Sequence, residues 1–193
     1  NPLSPYAVTK VTNELYSNVF ASTFGLKSIG LRYFNIFGKR QDPNGAYAAV
    51  IPCWISSILN QESVFINGDG SSSRDFCYIN NVIQVNILAA KVNDDEAINQ
   101  IYNVAVGENT SLNDLFQIIE DLLVNRSDLL IKKKPIYREF RDGDVKHSLA
   151  DISKAKTLLG FNASYSLEQG LDELMDWYLS KNIYHGFKKT FVK

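Results

Sequence analysis

Two cysteines, two histidines and one methionine in 193 residues narrow the chemistry open to this chain. Cys53 and Cys77 stand alone within apolar stretches, which reads as buried, reduced thiols and excludes a disulfide framework or a thiol nucleophile. His147 and His185 have no partner at metal-ligand spacing, so no metal is expected. Neither charge sign prevails: 20 basic and 21 acidic side chains leave a formal charge of −1, without the field that nucleic acid or a membrane surface requires. The one cationic run, Lys132-Lys133-Lys134, reads as a solvated loop or strand edge. Hydrophobic runs are short. The most apolar window, Ala46 to Ile55, cannot span a bilayer and contains Pro52. A cytoplasmic protein without a secretory signal is expected.

Two further absences stand out. The chain does not begin with Met, and no G-x-G-x-x-G or G-x-x-G-x-x-G enters a helix. That glycine turn is how a Rossmann unit brings backbone N–H groups and a helix N-terminus onto a pyrophosphate.

What is present is enough for a sizeable core: 45% hydrophobic residues, with 11 Phe, 10 Tyr and 2 Trp, an aromatic share that suits a ligand cleft. Ser4 caps a first helix, Pro5 opens it and Gly25 closes it; Val8, Val11, Leu15 and Val19 repeat at helical spacing and predict a buried stripe. Lys27 to Phe37 reads as one strand, and Ala46 to Leu59 as a helix that Pro52 either kinks or begins. Short strands follow at 64–66 and 74–79 around a Gly68–Ser73 loop, then a helix over 81–92 and a strand over 101–106. Ser111 with Asp114 and Ser166 with Gln169 sign the starts of two helices. Residues 136–140 are extended, and Asp151 opens a short helix that Gly160 ends. Alternating strands and helices make the chain α/β, with no internal repeat and no low-complexity segment.

Chemistry concentrates first at Tyr6-Ala7-Val8-Thr9-Lys10. A Tyr and a Lys four apart share one helix face. A free phenol, with a pKa of ~10, is a poor base, but a nearby ammonium stabilises its phenolate. Tyr-x-x-x-Lys is therefore a workable acid/base pair for moving a proton while hydride moves to or from NAD.

The run Asn1-Pro2-Leu3-Ser4-Pro5-Tyr6-Ala7-Val8-Thr9-Lys10 resembles the active-site helix of extended short-chain dehydrogenase/reductases, in their nucleotide-sugar epimerase and dehydratase branch. Leu31-Arg32-Tyr33-Phe34-Asn35-Ile36-Phe37-Gly38 resembles that family's strand end beside the nicotinamide; Ser71-Ser72-Ser73-Arg74-Asp75-Phe76 resembles its G-x-x-x-R-D-[FY] segment, and Arg141-Asp142-Gly143-Asp144 its R-x-G-D. The resemblance spans residues 1–181 and is closest to bacterial UDP-N-acetylglucosamine 4-epimerases. It implies the C-terminal part of a longer enzyme: a remainder of the NAD-binding Rossmann-type core at 1–40 and 81–110, a smaller mixed α/β sugar-nucleotide lobe at 41–80 and 111–181, and a tail at 182–193.

The resemblance also implies roles. Tyr6 and Lys10 are catalytic and contact NAD, Tyr33 and Phe34 flank the nicotinamide, and Asn35, Arg74 and Arg141 meet the diphosphate region, with Asp144 at the ribose. Gln41, Ala49, Val64 and Ile66 line the sugar and base pocket. Ser148, four after Asp144, borders C2 of the hexose, where a small side chain admits an N-acetyl group. The implied activity is C4 epimerisation of a UDP-N-acetylhexosamine, UDP-GlcNAc to UDP-GalNAc, for surface polysaccharide synthesis, in a homodimer. The alternatives are a 4,6-dehydratase or decarboxylase of the same family, or an inactive sugar-nucleotide-binding fragment.

Overall fold

The computed structural model describes residues 2, 4–45, 48–140 and 143–180. Helix α1 (Pro5–Phe24) starts as its cap chemistry dictates: Ser4 Oγ accepts the Ala7 N–H at 3.1 Å, and Gly25, at φ 68°, closes the helix by donating to Ala21 O. The predicted buried stripe is not found. Val8, Val11, Leu15 and Val19 are between 38% and 59% exposed, and α1 has no buried residue. The helix is attached by polar contacts instead, Glu14 to Arg32 and Ser17 to Ser28, and among the described residues no element covers its apolar face.

β1 (Ile29–Tyr33) and β2 (Asn35–Phe37) divide what periodicity reads as one strand, because the chain changes partner at Phe34. β1 runs parallel to β6 (Gln100–Val104), with Tyr33 opposite Val104; β2 runs parallel to β5 (Phe76–Tyr78), with Asn35 opposite Phe76. Phe34 donates to Val104 O at 3.1 Å, the last rung of the first ladder, and Ile36 donates back to Phe34 O at the break.

α2 (Val50–Leu59) carries Pro52 in its first turn, where an amide hydrogen has no helical acceptor, so the proline marks the start and causes no kink. β3 (Phe65–Asn67) pairs parallel with β8 (Ile136–Arg138). β4 (Ser73–Arg74) lies between β7 (Thr110–Ser111), antiparallel, and β9 (His147–Ser148), parallel. α3 (Ile79–Lys91) follows β5 without a loop, and α4 (Leu112–Val124), α5 (Ser153–Leu159) and α6 (Leu167–Ser180) complete the described elements. The predicted caps form: Ser111 Oγ accepts the Asp114 N–H, while Ser166 and Gln169 each accept the other's backbone N–H.

Two larger apolar clusters stand out among the described residues. One gathers α2, α4 and α6 around Phe37, Ile55, Ile119, Leu171 and Tyr178; the other gathers α3, α5 and β6 around Val85, Tyr102 and Phe161. Ile79, where β5 passes into α3, packs against both. The lysine run is an exposed loop, as its sequence suggests, and it is also anchored. Lys132 pairs with Asp121, and the Lys133 N–H reaches the buried Glu120 at 2.7 Å, so the run tethers its segment to α4.

Candidate active site

Tyr6 and Lys10 stand on one face of α1, with the Lys10 ammonium 5.1 Å from the centre of the Tyr6 ring. Tyr6 is 70% exposed, and both residues face a cavity of about 510 Å³ whose far wall includes Gly30, Leu31 and Tyr33 of β1. Strand alternation sends Arg32 toward α1, and Leu31 and Tyr33 toward α3. Tyr33 still borders the cavity, but its hydroxyl donates to Asn86 of α3 at 3.1 Å. Phe34 lies apart from this pair. It packs against Ala105, Ala150 and Ile152, and with Asn35 and Ala49 lines a smaller cavity of about 290 Å³.

A cavity of about 600 Å³ opens beside β4. Asn35, Arg74 and Asp144, which come from three distant segments, all line it. Arg74 is aimed by its own Nη1, which donates to the carbonyls of Ser73 at 2.8 Å and Lys146 at 3.2 Å. Among the described residues no carboxylate pairs with it, so the guanidinium retains donors for a bidentate anion. The loop before it turns at Gly68 and Gly70, both near φ +77°; a side chain at Gly70 would also run into Asn113. Ser73, next to Arg74, hydrogen-bonds His147 Nδ1 at 2.8 Å and so locks β4 to β9.

Asp75 is fully buried and lies at the crossing of three segments. Its carboxylate accepts the N–H groups of Val106 at 2.9 Å, Gly107 at 3.0 Å and Ala150 at 3.4 Å. Burial pushes its carboxyl above the usual range, and the three N–H donors oppose that rise. Asn35 Nδ2 donates to the Asp75 carbonyl at 3.1 Å, which fixes the amide over the cavity.

Residues 1–105 match the NAD dependent epimerase/dehydratase family. The chain belongs to that family. Three similar proteins show the range it spans. A UDP-N-acetylglucosamine 4-epimerase from Methanobrevibacter ruminantium M1, solved with UDP-N-acetylmuramic acid, is 44% identical, with a TM-score of 0.83 over 94% of this chain and 55% of its own. A UDP-glucose 4-epimerase from Thermotoga maritima, solved with UDP-glucose, is 35% identical, with a TM-score of 0.85 and the same coverage. A UDP-glucuronate 4-epimerase from Thermodesulfobacterium geofontis is 36% identical over 91% of this chain and 50% of its own. The chain therefore spans about half the length of these relatives, and its mixed α/β fold is of their Rossmann type.

The cofactor of this epimerase/dehydratase family is NAD. The residues around the 510 Å³ cavity fit one side of such a group, since an exposed phenol and an ammonium suit ribose hydroxyls. Sequence reasoning placed other residues less well. Val64 and Ile66 do not face the cavity: they are 5% and 1% exposed and belong to the core. The strand phase is the opposite one, and Phe65 and Asn67 line the cavity. The polar Asn67 was the available signal, because it shares a face with Phe65. Gln41 does not line the cavity either; its amide staples its own turn, donating to Ile36 O at 3.0 Å and accepting the Gly38 N–H at 3.2 Å. Ser148 is half-buried and pairs in register with Arg74 without forming the cavity wall. Arg141 lies outside the described residues.

Three cavity residues carried no sequence signal of their own: Trp54, Phe140 and Lys146. Trp54 Nε1 donates to the Phe65 carbonyl at 3.2 Å, and the Arg138 guanidinium sits 3.3 Å from the Phe65 ring centre, so that residue is held by its backbone and by its ring.

Proposed function

We propose that the protein acts as an NAD-dependent UDP-sugar 4-epimerase whose substrate is a UDP-N-acetylhexosamine. The observation that carries this reading is the convergence of Asn35, Arg74 and Asp144 on one cavity, with Arg74 unpaired by any described carboxylate, in a chain that also presents the Tyr6–Lys10 pair. Tyr6 takes the proton from the C4 hydroxyl and later returns one to the same oxygen. Lys10 stabilises the phenolate during that exchange. NAD, when bound, supplies the hydride acceptor and donor for C4. Arg74, with Arg141 as the second guanidinium, holds the diphosphate while the sugar turns between its two faces, and Asp144 serves the ribose.

Ser148, although outside the wall of the 600 Å³ cavity, bears on the N-acetyl preference through the resemblance to the epimerases. It is small, and its register partner is the diphosphate-binding Arg74. The 44% identity to a UDP-N-acetylglucosamine 4-epimerase supports the same choice. A homodimer through the exposed apolar face of α1 belongs to this reading.

The test is turnover of the intact protein on UDP-GlcNAc and UDP-Glc, repeated with Ser148→Tyr. C4 inversion of UDP-GlcNAc is expected, and the bulky variant should lose the acetylated substrate by ~100-fold or more while keeping UDP-Glc. A 4-keto-6-deoxy product or release of carbon dioxide from a uronic acid substrate would assign the protein to another reaction of its family.

A further inference from the structure

Helix α1 contains only two charged side chains, Lys10 and Glu14, four residues apart. On a helix that spacing puts them in contact, and an ammonium and a carboxylate there normally pair. They do not pair in this protein. Glu14 turns to β1 and takes Arg32 in a two-point bond, Oε1 to Nε and Oε2 to Nη2, each at 2.6 Å. Lys10 is left over the Tyr6 ring. The guanidinium prevails because its planar fork satisfies both carboxylate oxygens at once, which an ammonium cannot do. Its hold also keeps the Glu14 carboxyl below the usual carboxylate range, so Glu14 is a full negative charge one helical turn from Lys10.

We propose that Arg32 is a positioning residue for the Tyr6–Lys10 pair: by occupying both oxygens of Glu14 it keeps that carboxylate off the Lys10 ammonium. Freed from Arg32, Glu14 would swing along its own helix face and neutralise Lys10, withdrawing the positive charge from the phenol. The catalytic side of this inference rests on the reading of Tyr6 and Lys10 given above; the competition for Glu14 does not.

The two sides separate in Arg32→Met, Glu14→Gln and the double variant, all made in the intact protein. In a crystal structure of Arg32→Met, a Glu14 oxygen is expected within about 3.2 Å of Lys10 Nζ. Turnover should fall by ~10-fold or more with the UDP-sugar KM within about twofold, since proton transfer and not binding is impaired. Glu14→Gln should keep at least about half the turnover, and the double variant should recover most of what Arg32→Met lost. A merely structural ion pair predicts the reverse: both single variants equally impaired, and the double no better. That pattern, or a Glu14 that stays clear of Lys10 in Arg32→Met, overturns the proposal. If Arg32→Met does not fold, Arg32→Lys keeps the charge without the fork, and the same Glu14–Lys10 contact is expected in its crystal structure; its absence overturns the proposal too. A wild-type protein without turnover on any UDP-sugar removes the catalytic reading, while the crystallographic contact still decides the competition for Glu14.

Discussion

Asp75 shows how much can depend on one carboxylate. Its two oxygens serve three backbone N–H groups from segments far apart in sequence, and it is wholly buried. Asp75→Ala leaves those donors without an acceptor and should destabilise the fold by about 3 kcal/mol or more, measurable by urea unfolding. The pH dependence follows from burial, which raises the folded pKa above the unfolded value. The contribution of Asp75 is then full below the ordinary aspartate range and declines as pH rises through the folded value. The difference between wild type and Asp75→Ala should therefore narrow from acid toward neutral pH. Cys77 makes a simpler case. Burial, helped by the Asp75 charge, pushes its thiol up to about 12, and burial likewise raises Cys53. At pH 8 the native protein should leave Cys77 unmodified by a thiol reagent, whereas both cysteines react once it is unfolded. The sequence already marked both as inert; it could not show that Asp75, two residues before Cys77, contributes to the reason.

At the scale of elements, the helices were more legible than the strands. Ser4, Ser111 and Ser166 announce helix starts because a cap is a local contract between side chain and backbone. The break at Phe34 carries no such signal, since it arises from an exchange of partners, β6 for β5, that lie far along the chain. β3 taught the same lesson through its phase: both faces of Val64-Phe65-Ile66 look apolar, and only packing against α2 and α4 decides which is core. α6 offers a prediction of its own. Gly170 lies where an added Cβ would come within 2.6 Å of Tyr78 and 2.9 Å of Phe37. Gly170→Ala improves helix propensity by ~1 kcal/mol, yet overpacking against two buried aromatic rings should outweigh that gain and lower stability by about 1–3 kcal/mol. A thermal melt decides it, because a rise in Tm would mean that the rings shift freely.

On the scale of the whole molecule, the 600 Å³ cavity collects β2, β3, β4, the start of α4 and the segment before β9. A ligand seated there ties these parts together and stabilises the fold by mass action. UDP should therefore raise the Tm of the wild-type protein and leave Arg74→Ala nearly unmoved, with UDP affinity in calorimetry down by ~10-fold or more; Arg74→Lys should recover only part of it. An equal shift in the variant would place the diphosphate elsewhere. The sequence by itself determined the α/β class, the helix caps and the residues with chemistry to offer, Tyr6, Lys10, Asn35, Arg74 and Asp144, because these depend on local pattern and on side-chain type. Only the tertiary structure decided which of them meet, that Glu14 answers to Arg32 and not to Lys10, that Phe65 and not Val64 faces the cavity, and that the apolar stripe of α1 is uncovered. Those outcomes are settled by contacts between residues distant in the chain, where burial and hydrogen-bond geometry outweigh any preference written in neighbouring residues.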